Sequence, residues 1–134
     1  MKRITFALPV GCGLLVWSIG ATALAEEAQL QINFSWARTE RCTTVSPEIH
    51  VSSVPEGTKK FEVALQDLDV PTYHHGGGTV LANAGGDIPA GALNDYNGPC
   101  PPSGSHTYRF TVNALDANGN EIGTGSKSAP FPSN

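Results

Sequence analysis

The chain has 134 residues, with 8 basic and 12 acidic side chains and a formal charge of −4. An acidic chain without a basic run does not grip nucleic acid or anionic lipid through bulk electrostatics, so those partners are excluded as a general mode of action.

The N-terminal residues read as an export signal. Lys2 and Arg3 give the positive start, Ile4 to Ile19 is mostly apolar, and Ala23-Leu24-Ala25 is a small-x-small cleavage site followed by Glu26-Glu27. Pro9, Gly11, Gly13 and Gly20 interrupt the apolar run, which is short against the roughly 20 apolar residues a bilayer span needs. Cleavage after Ala25, with no stable membrane anchor left, is therefore expected, and export to a bacterial periplasm or beyond. Cys12 follows Pro9-Val10-Gly11 and precedes most of the apolar run, which is the wrong context for lipidation. Residues 26–134 then form one domain of 109 residues. Loss of Lys2 and Arg3 leaves six basic side chains against twelve acidic ones, a formal charge of −6. Cys42 and Cys100, 58 positions apart, remain as the one possible intramolecular pair. An oxidising compartment favours that disulfide, for which chain entropy gives roughly 4 kcal/mol.

Gln29 to Trp36 alternates, with Leu30, Ile32, Phe34 and Trp36 on one face, the pattern of a half-buried strand. Glu48 to Val54 and Lys60 to Leu68 alternate likewise and are joined by the turn Pro55-Glu56-Gly57-Thr58. Thr79 to Ala82 reads as a short strand. His106 to Leu115 is the longest late strand, with His106, Tyr108, Phe110, Val112 and Ala114 on one face. Asp116 to Asn120 is a turn, Glu121 to Thr124 a returning edge strand, and Pro130 to Asn134 a loose tail. No segment beyond the export signal has a helical period. Short strands separated by Gly- and Pro-rich turns predict a mostly β domain, an antiparallel β-sandwich.

The chemistry-bearing residues fall in three stretches: Asp67-Leu68-Asp69-Val70-Pro71, His74-His75-Gly76-Gly77-Gly78, and Gly98-Pro99-Cys100-Pro101-Pro102 with His106 and Tyr108 beyond it. Carboxylates at a strand end beside imidazoles can hold a histidine in its charged form, ligate a metal or act as an acid/base pair. Read alone, Asp69-Val70-Pro71 is simply a strand-ending turn.

Together these stretches resemble the phosphatidylethanolamine-binding proteins, also called Raf kinase inhibitor-like proteins, and their small bacterial members in particular. Ser46-Pro47-Glu48-Ile49 is similar to the family's Ser-Pro-x-apolar segment, and Val54-Pro55-Glu56-Gly57-Thr58 to its Val-Pro-x-Gly-Thr turn. Asp67-Leu68-Asp69-Val70-Pro71 resembles its Asp-Pro-Asp-Ala-Pro motif, with Leu68 in place of a proline. Tyr96-Asn97-Gly98-Pro99-Cys100-Pro101-Pro102 resembles its Tyr-x-Gly-Pro-x-Pro-Pro loop, and His106-Thr107-Tyr108 its His-Arg-Tyr strand, followed by Ala114-Leu115-Asp116. The resemblance spans about Phe34 to Glu121. It implies a β-sandwich with a non-catalytic anion pocket for phosphate or a phosphorylethanolamine-like headgroup. Asp67, Asp69 and Pro71 would come from the first motif, Pro101 and Pro102 would form a wall, and His106 and Tyr108 would face inward. His75, or alternatively His74, matches the family histidine, while Gly76 to Gly78 stand where its aromatic wall would be. No cofactor is implied.

Physically, such a site can work without a basic cluster. The glycines are expected to form a backbone anion nest, His75 or His106 to carry positive charge, and Tyr108 to donate a hydrogen bond. Because the carboxylates repel a dianion, binding should strengthen below neutral pH. Other readings compete. His75-Gly76-Gly77-Gly78 matches an esterase oxyanion segment, but no Gly-x-Ser-x-Gly elbow exists. His50, His74, His75 and His106 with Asp67 and Asp69 offer ligands for zinc or copper, without a diagnostic spacing. A structural or protein-interaction sandwich that keeps the motifs only as turns, with a vestigial pocket, is the third.

Overall fold

Alternating burial decides the architecture of the computed structural model, which describes residues 27–132. The stretch expected to be an export signal, with Cys12, lies outside the described residues. Nine strands follow one another: β1 (Ala28–Gln29), β2 (Gln31–Phe34), β3 (Ile49–Ser52), β4 (Lys60–Asp67), β5 (His74–Leu81), β6 (Asp87–Ile88), β7 (Asp95–Tyr96), β8 (His106–Leu115) and β9 (Glu121–Phe131). They form a six-stranded sheet ordered β1-β9-β8-β4-β5-β7 and a three-stranded sheet ordered β2-β3-β6. Among the described residues there is no helix, and so none long and apolar enough to cross a membrane.

The expected inward sets form the core. Phe61, Val63 and Leu65 of β4 and Tyr108, Phe110, Val112 and Ala114 of β8 meet Ile32, Ile49, Val51 and Ile88 of the smaller sheet. Each apolar side chain buried this way contributes about 1.5–3 kcal/mol. The β-sandwich predicted from the sequence is the observed fold. The Cys42–Cys100 disulfide is formed, with its Cα atoms 4.6 Å apart.

Three local expectations are corrected. The predicted strand Gln29 to Trp36 is broken at Leu30. β1 pairs in parallel with β9, whereas β2 pairs antiparallel with β3, so the chain changes sheets while keeping its alternation. Leu30 marks the change, its N–H donating to the Thr124 carbonyl at 2.8 Å.

The glycine run is the second correction. Gly76 to Gly78 are not a nest in a loop; they lie inside β5, which begins at His74 rather than Thr79. Gly77 faces Ala64 on β4 and Asp95 on β7, so backbone pairing on both sides uses the groups an anion would need. Glycine is needed here for close approach: a Cβ on Gly77 would stand 1.9 Å from the Val63 carbonyl oxygen.

The third is the C-terminal end. β9 is not an edge strand ending at Thr124, and the tail is not loose at Pro130. β9 pairs with β8 as far as Phe131 opposite His106. Phe131 is buried against Trp36 at 5.6 Å between ring centroids. An aromatic within a Pro-Ser-rich end gave no alternation to read, and tertiary burial supplies the strand instead.

Candidate functional site

The end of β4 turns back through the side chain of Asp67. Its Oδ1 accepts the N–H groups of Asp69 at 2.8 Å and Val70 at 3.1 Å, which makes the stretch a strand-ending turn. The same turn is docked onto β8. Thr107 N–H donates to Asp69 Oδ2 at 2.7 Å, Leu68 N–H donates to the Thr107 carbonyl, and His106 Nδ1 donates to Asp67 Oδ2 at 2.7 Å. The β4–β8 register places Asp67 opposite Tyr108, so the first motif and the His106–Tyr108 strand meet at one end of the sandwich.

β5 brings the third component. His75 is buried and His74 exposed, which assigns the inward position to His75. Its Nδ1 donates to the Asn97 carbonyl at 2.6 Å, leaving Nε2 as its remaining polar atom. The His75 ring sits edge-on to Tyr108 at 5.2 Å, and His106 is stacked near Tyr108 at 6.3 Å. Pro99 and Pro101 are fully buried, whereas Pro102, expected beside Pro101 as a wall, and Pro71 are exposed. The backbone of residues 41–43 zips onto this proline loop. Cys42 N–H donates to the Pro99 carbonyl, Gly98 N–H to the Thr43 carbonyl, and the Arg41 guanidinium to the Pro101 carbonyl.

The electrostatics follow from these contacts. Burial pushes the Asp67 carboxyl up, but the His106 hydrogen bond and the Asp69 and Val70 N–H groups outweigh it and hold the group below its ordinary value of 3.8. Burial, with the Asp67 carboxylate behind it, pushes the Tyr108 phenol up to about 12. That hydroxyl lies near Asp67 and the Cys100 backbone, yet it is buried with no partner at hydrogen-bond geometry among the described residues. The Tyr96 hydroxyl is buried and unpartnered as well, and burial raises its phenol too.

Of the residues considered as metal ligands, Asp67, Asp69 and His106 alone converge, with ligand atoms within 4.8 Å of one another. Both Asp67 oxygens and Asp69 Oδ2 already accept hydrogen bonds from N–H groups and from His106. His50 instead pairs with Asp87 on the outer face of the small sheet. Two clefts also lie elsewhere. One of about 710 Å³ runs beside Phe34, Arg38, Val45 and His50, and one of about 280 Å³ lies over Gly76 to Gly78. At the Asp67 end the His106 side chain is about 15% exposed.

A family model described as phosphatidylethanolamine-binding protein matches residues 74–131. The UPF0098 protein YbhB of Escherichia coli is 32% identical over 108 residues, covering 63% of this chain and 68% of YbhB. The chain belongs to the phosphatidylethanolamine-binding protein family. YbcL of Escherichia coli is 36% identical over 95 residues, and the chain spans only 52% of its length. The solved structure of YbcL, a member of the mammalian phosphatidylethanolamine-binding protein family, superposes with a TM-score of 0.53 at 24% identity. It covers 81% of this chain. CT736 of Chlamydia trachomatis gives a TM-score of 0.57 at 19% identity and is covered over 99% of its length. These two likenesses establish the fold. Membership of this family supports a small-ligand-binding protein.

Three contributors escaped the sequence reading. Tyr73 lies on the exposed β4–β5 loop and places its ring 4.7 Å from His75, so an aromatic does stand beside the family histidine although glycines follow it. Asn97 and Thr107 act through backbone groups, and backbone contacts leave no signature in side-chain type. The Tyr73 ring was readable only as one aromatic two residues from His75, too weak a signal in a turn.

Proposed function

We propose that the protein is an exported, non-catalytic binder of a small phosphate-bearing anion, held where Asp67, Asp69, His75, His106 and Tyr108 converge. The observation that carries this reading is the Tyr108 hydroxyl, a buried donor without a partner in the middle of that cluster. An unsatisfied buried hydroxyl costs about 1–3 kcal/mol, a cost that a ligand acceptor would remove. His106, fixed by Asp67 through Nδ1, keeps Nε2 as its remaining polar atom, and the exposed Asp69 suits the ammonium of a phosphorylethanolamine-like headgroup.

The test is an NMR titration of the disulfide-intact protein with phosphate and with phosphorylethanolamine, repeated with a chelator. Saturable shifts at Asp67, His75, His106 and Tyr108 that survive chelation are expected. Shifts that vanish on chelation would favour a metal at Asp67, Asp69 and His106, the second reading, which rests on their convergence within 4.8 Å. No shift at millimolar ligand would leave the motifs as scaffold for a protein-interaction domain. Replacing Tyr108 by Phe should separate binding from stability. Loss of the orphaned hydroxyl should stabilise the fold by about 1 kcal/mol while weakening phosphate roughly fivefold or more. A variant that binds phosphate as tightly as the parent would remove Tyr108 from the site. Export is tested separately, by whether protein recovered from a periplasmic fraction begins at Glu26.

A further inference from the structure

The Cys42–Cys100 bridge joins residues 41–43 to the loop Gly98–Pro102. That loop follows Asn97, whose carbonyl accepts from His75 Nδ1 at 2.6 Å, with the His75 ring 5.2 Å from Tyr108, and its Cys100 backbone lies near the Tyr108 hydroxyl. Two backbone hydrogen bonds flank the bridge, Cys42 N–H to Pro99 at 2.8 Å and Gly98 N–H to Thr43 at 2.9 Å, with the Arg41 guanidinium beyond on Pro101. Both half-cystines are exposed residues, although Pro99 and Pro101 on either side of Cys100 are fully buried. Exposed disulfides are the ones a thiolate can reach, and they tend to be the labile class. Cys42 also sits at φ 58, a left-handed conformation unusual for a residue with a side chain, held by the bridge and its flanking hydrogen bonds.

We infer that the Cys42–Cys100 disulfide is a redox latch on the Asp67–His106–Tyr108 site. Oxidised, it holds the Gly98–Pro102 loop down and restricts an anion's access to the Tyr108 hydroxyl; reduced, it lets this wall lift and the anion bind more tightly. The reductant is a protein or small-molecule dithiol. Its thiolate attacks one bridge sulfur to form a mixed disulfide, and the other cysteine leaves as thiolate. The second thiol of the reductant then resolves the mixed disulfide. The bridge gains two electrons and two protons, yielding two cysteine thiols and one oxidised dithiol. The regulation of ligand binding rests on the anion reading above, whereas the opening of the wall does not.

The test compares the oxidised protein, the protein reduced by a dithiol, and the double variant C42S/C100S. Two readouts are taken on each: amide hydrogen exchange resolved by residue, and titration with inorganic phosphate. Exchange at the position-42 amide and at Gly98 is expected to quicken at least about tenfold on reduction while the β4, β8 and β9 amides keep their protection. Phosphate affinity should rise at least about threefold, with the variant behaving as the reduced protein. Equal loss of protection throughout the sandwich would overturn the latch and leave the bridge a plain staple. Unchanged exchange at Gly98 would overturn it too. Local opening with unchanged phosphate affinity would leave the anion site standing and remove the bridge as its regulator. Local opening with no phosphate binding in any state would instead reject the anion site and keep the opening itself.

Discussion

Replacing Gly77 by Ala is expected to destabilise the protein by about 4 kcal/mol or more, among the larger single-residue effects a domain shows. The added Cβ would stand 1.9 Å from the Val63 oxygen and 2.8 Å from its carbonyl carbon, both backbone atoms of the neighbouring strand β4. Neither can swing aside as a side chain could, because β4 is itself paired to β8 along its whole length. Relief requires β5 to move off β4, which breaks the ladder that carries His75. Gly57 is the control. At φ 89 it also disfavours a side chain, yet nothing lies within 4 Å of its Cβ position, so the Ala variant there should cost only about 1 kcal/mol. Urea unfolding of both variants measures the contrast. Equal midpoints would mean that strand crowding at Gly77 is unimportant.

Asp67 carries the second large effect. Truncation to Ala at pH 7 removes the partner of His106 and the acceptor of two N–H groups at a residue only 3% exposed. Leaving a buried donor without its acceptor costs about 1–3 kcal/mol, and three donors lose theirs here, so the loss should reach about 3 kcal/mol or more. The pH dependence has a definite sign. The folded carboxyl lies below 3.8, its ordinary value, so the unfolded chain takes up the proton first as pH falls. Stability from Asp67 is therefore fully present above that value and is lost as pH drops through the folded one. The Asn variant, which keeps an acceptor for the turn but no charge, should be less stable than the parent at pH 7. The gap should narrow below about pH 4. Urea midpoints for the two proteins across that range would show it, and a gap of constant size would mean that ionisation of Asp67 contributes nothing.

The parts of this molecule that were legible from residue type are those where a period of two meets a buried face. β3, β4 and β8 fall where their alternation puts them, and the inward set from His106 to Ala114 follows from that alternation alone. The family resemblance supplied the convergence of Asp67, His75, His106 and Tyr108, which no spacing along the chain reveals. The glycine run was misread because glycines carry no facial pattern. The same three residues satisfy a nest or a crowded central strand, and only the position of β7 distinguishes the two. β6 and β7 have two residues each, too few to show any period. The loops also hid the clamp at Cys42, since its contacts are made by backbone carbonyls that every residue possesses.

The parallel pairing of β1 with β9 has a consequence for how the chain reaches its native state. Gln29 meets Thr124 across a separation of 95 residues, so the first strand has no partner until the last has been synthesised. Closing so long a loop must precede any reward from the contact, which places the domain among the slower-folding topologies. Throughout synthesis the N-terminal strand therefore waits unpaired, and the six-stranded sheet is completed only after β9 emerges.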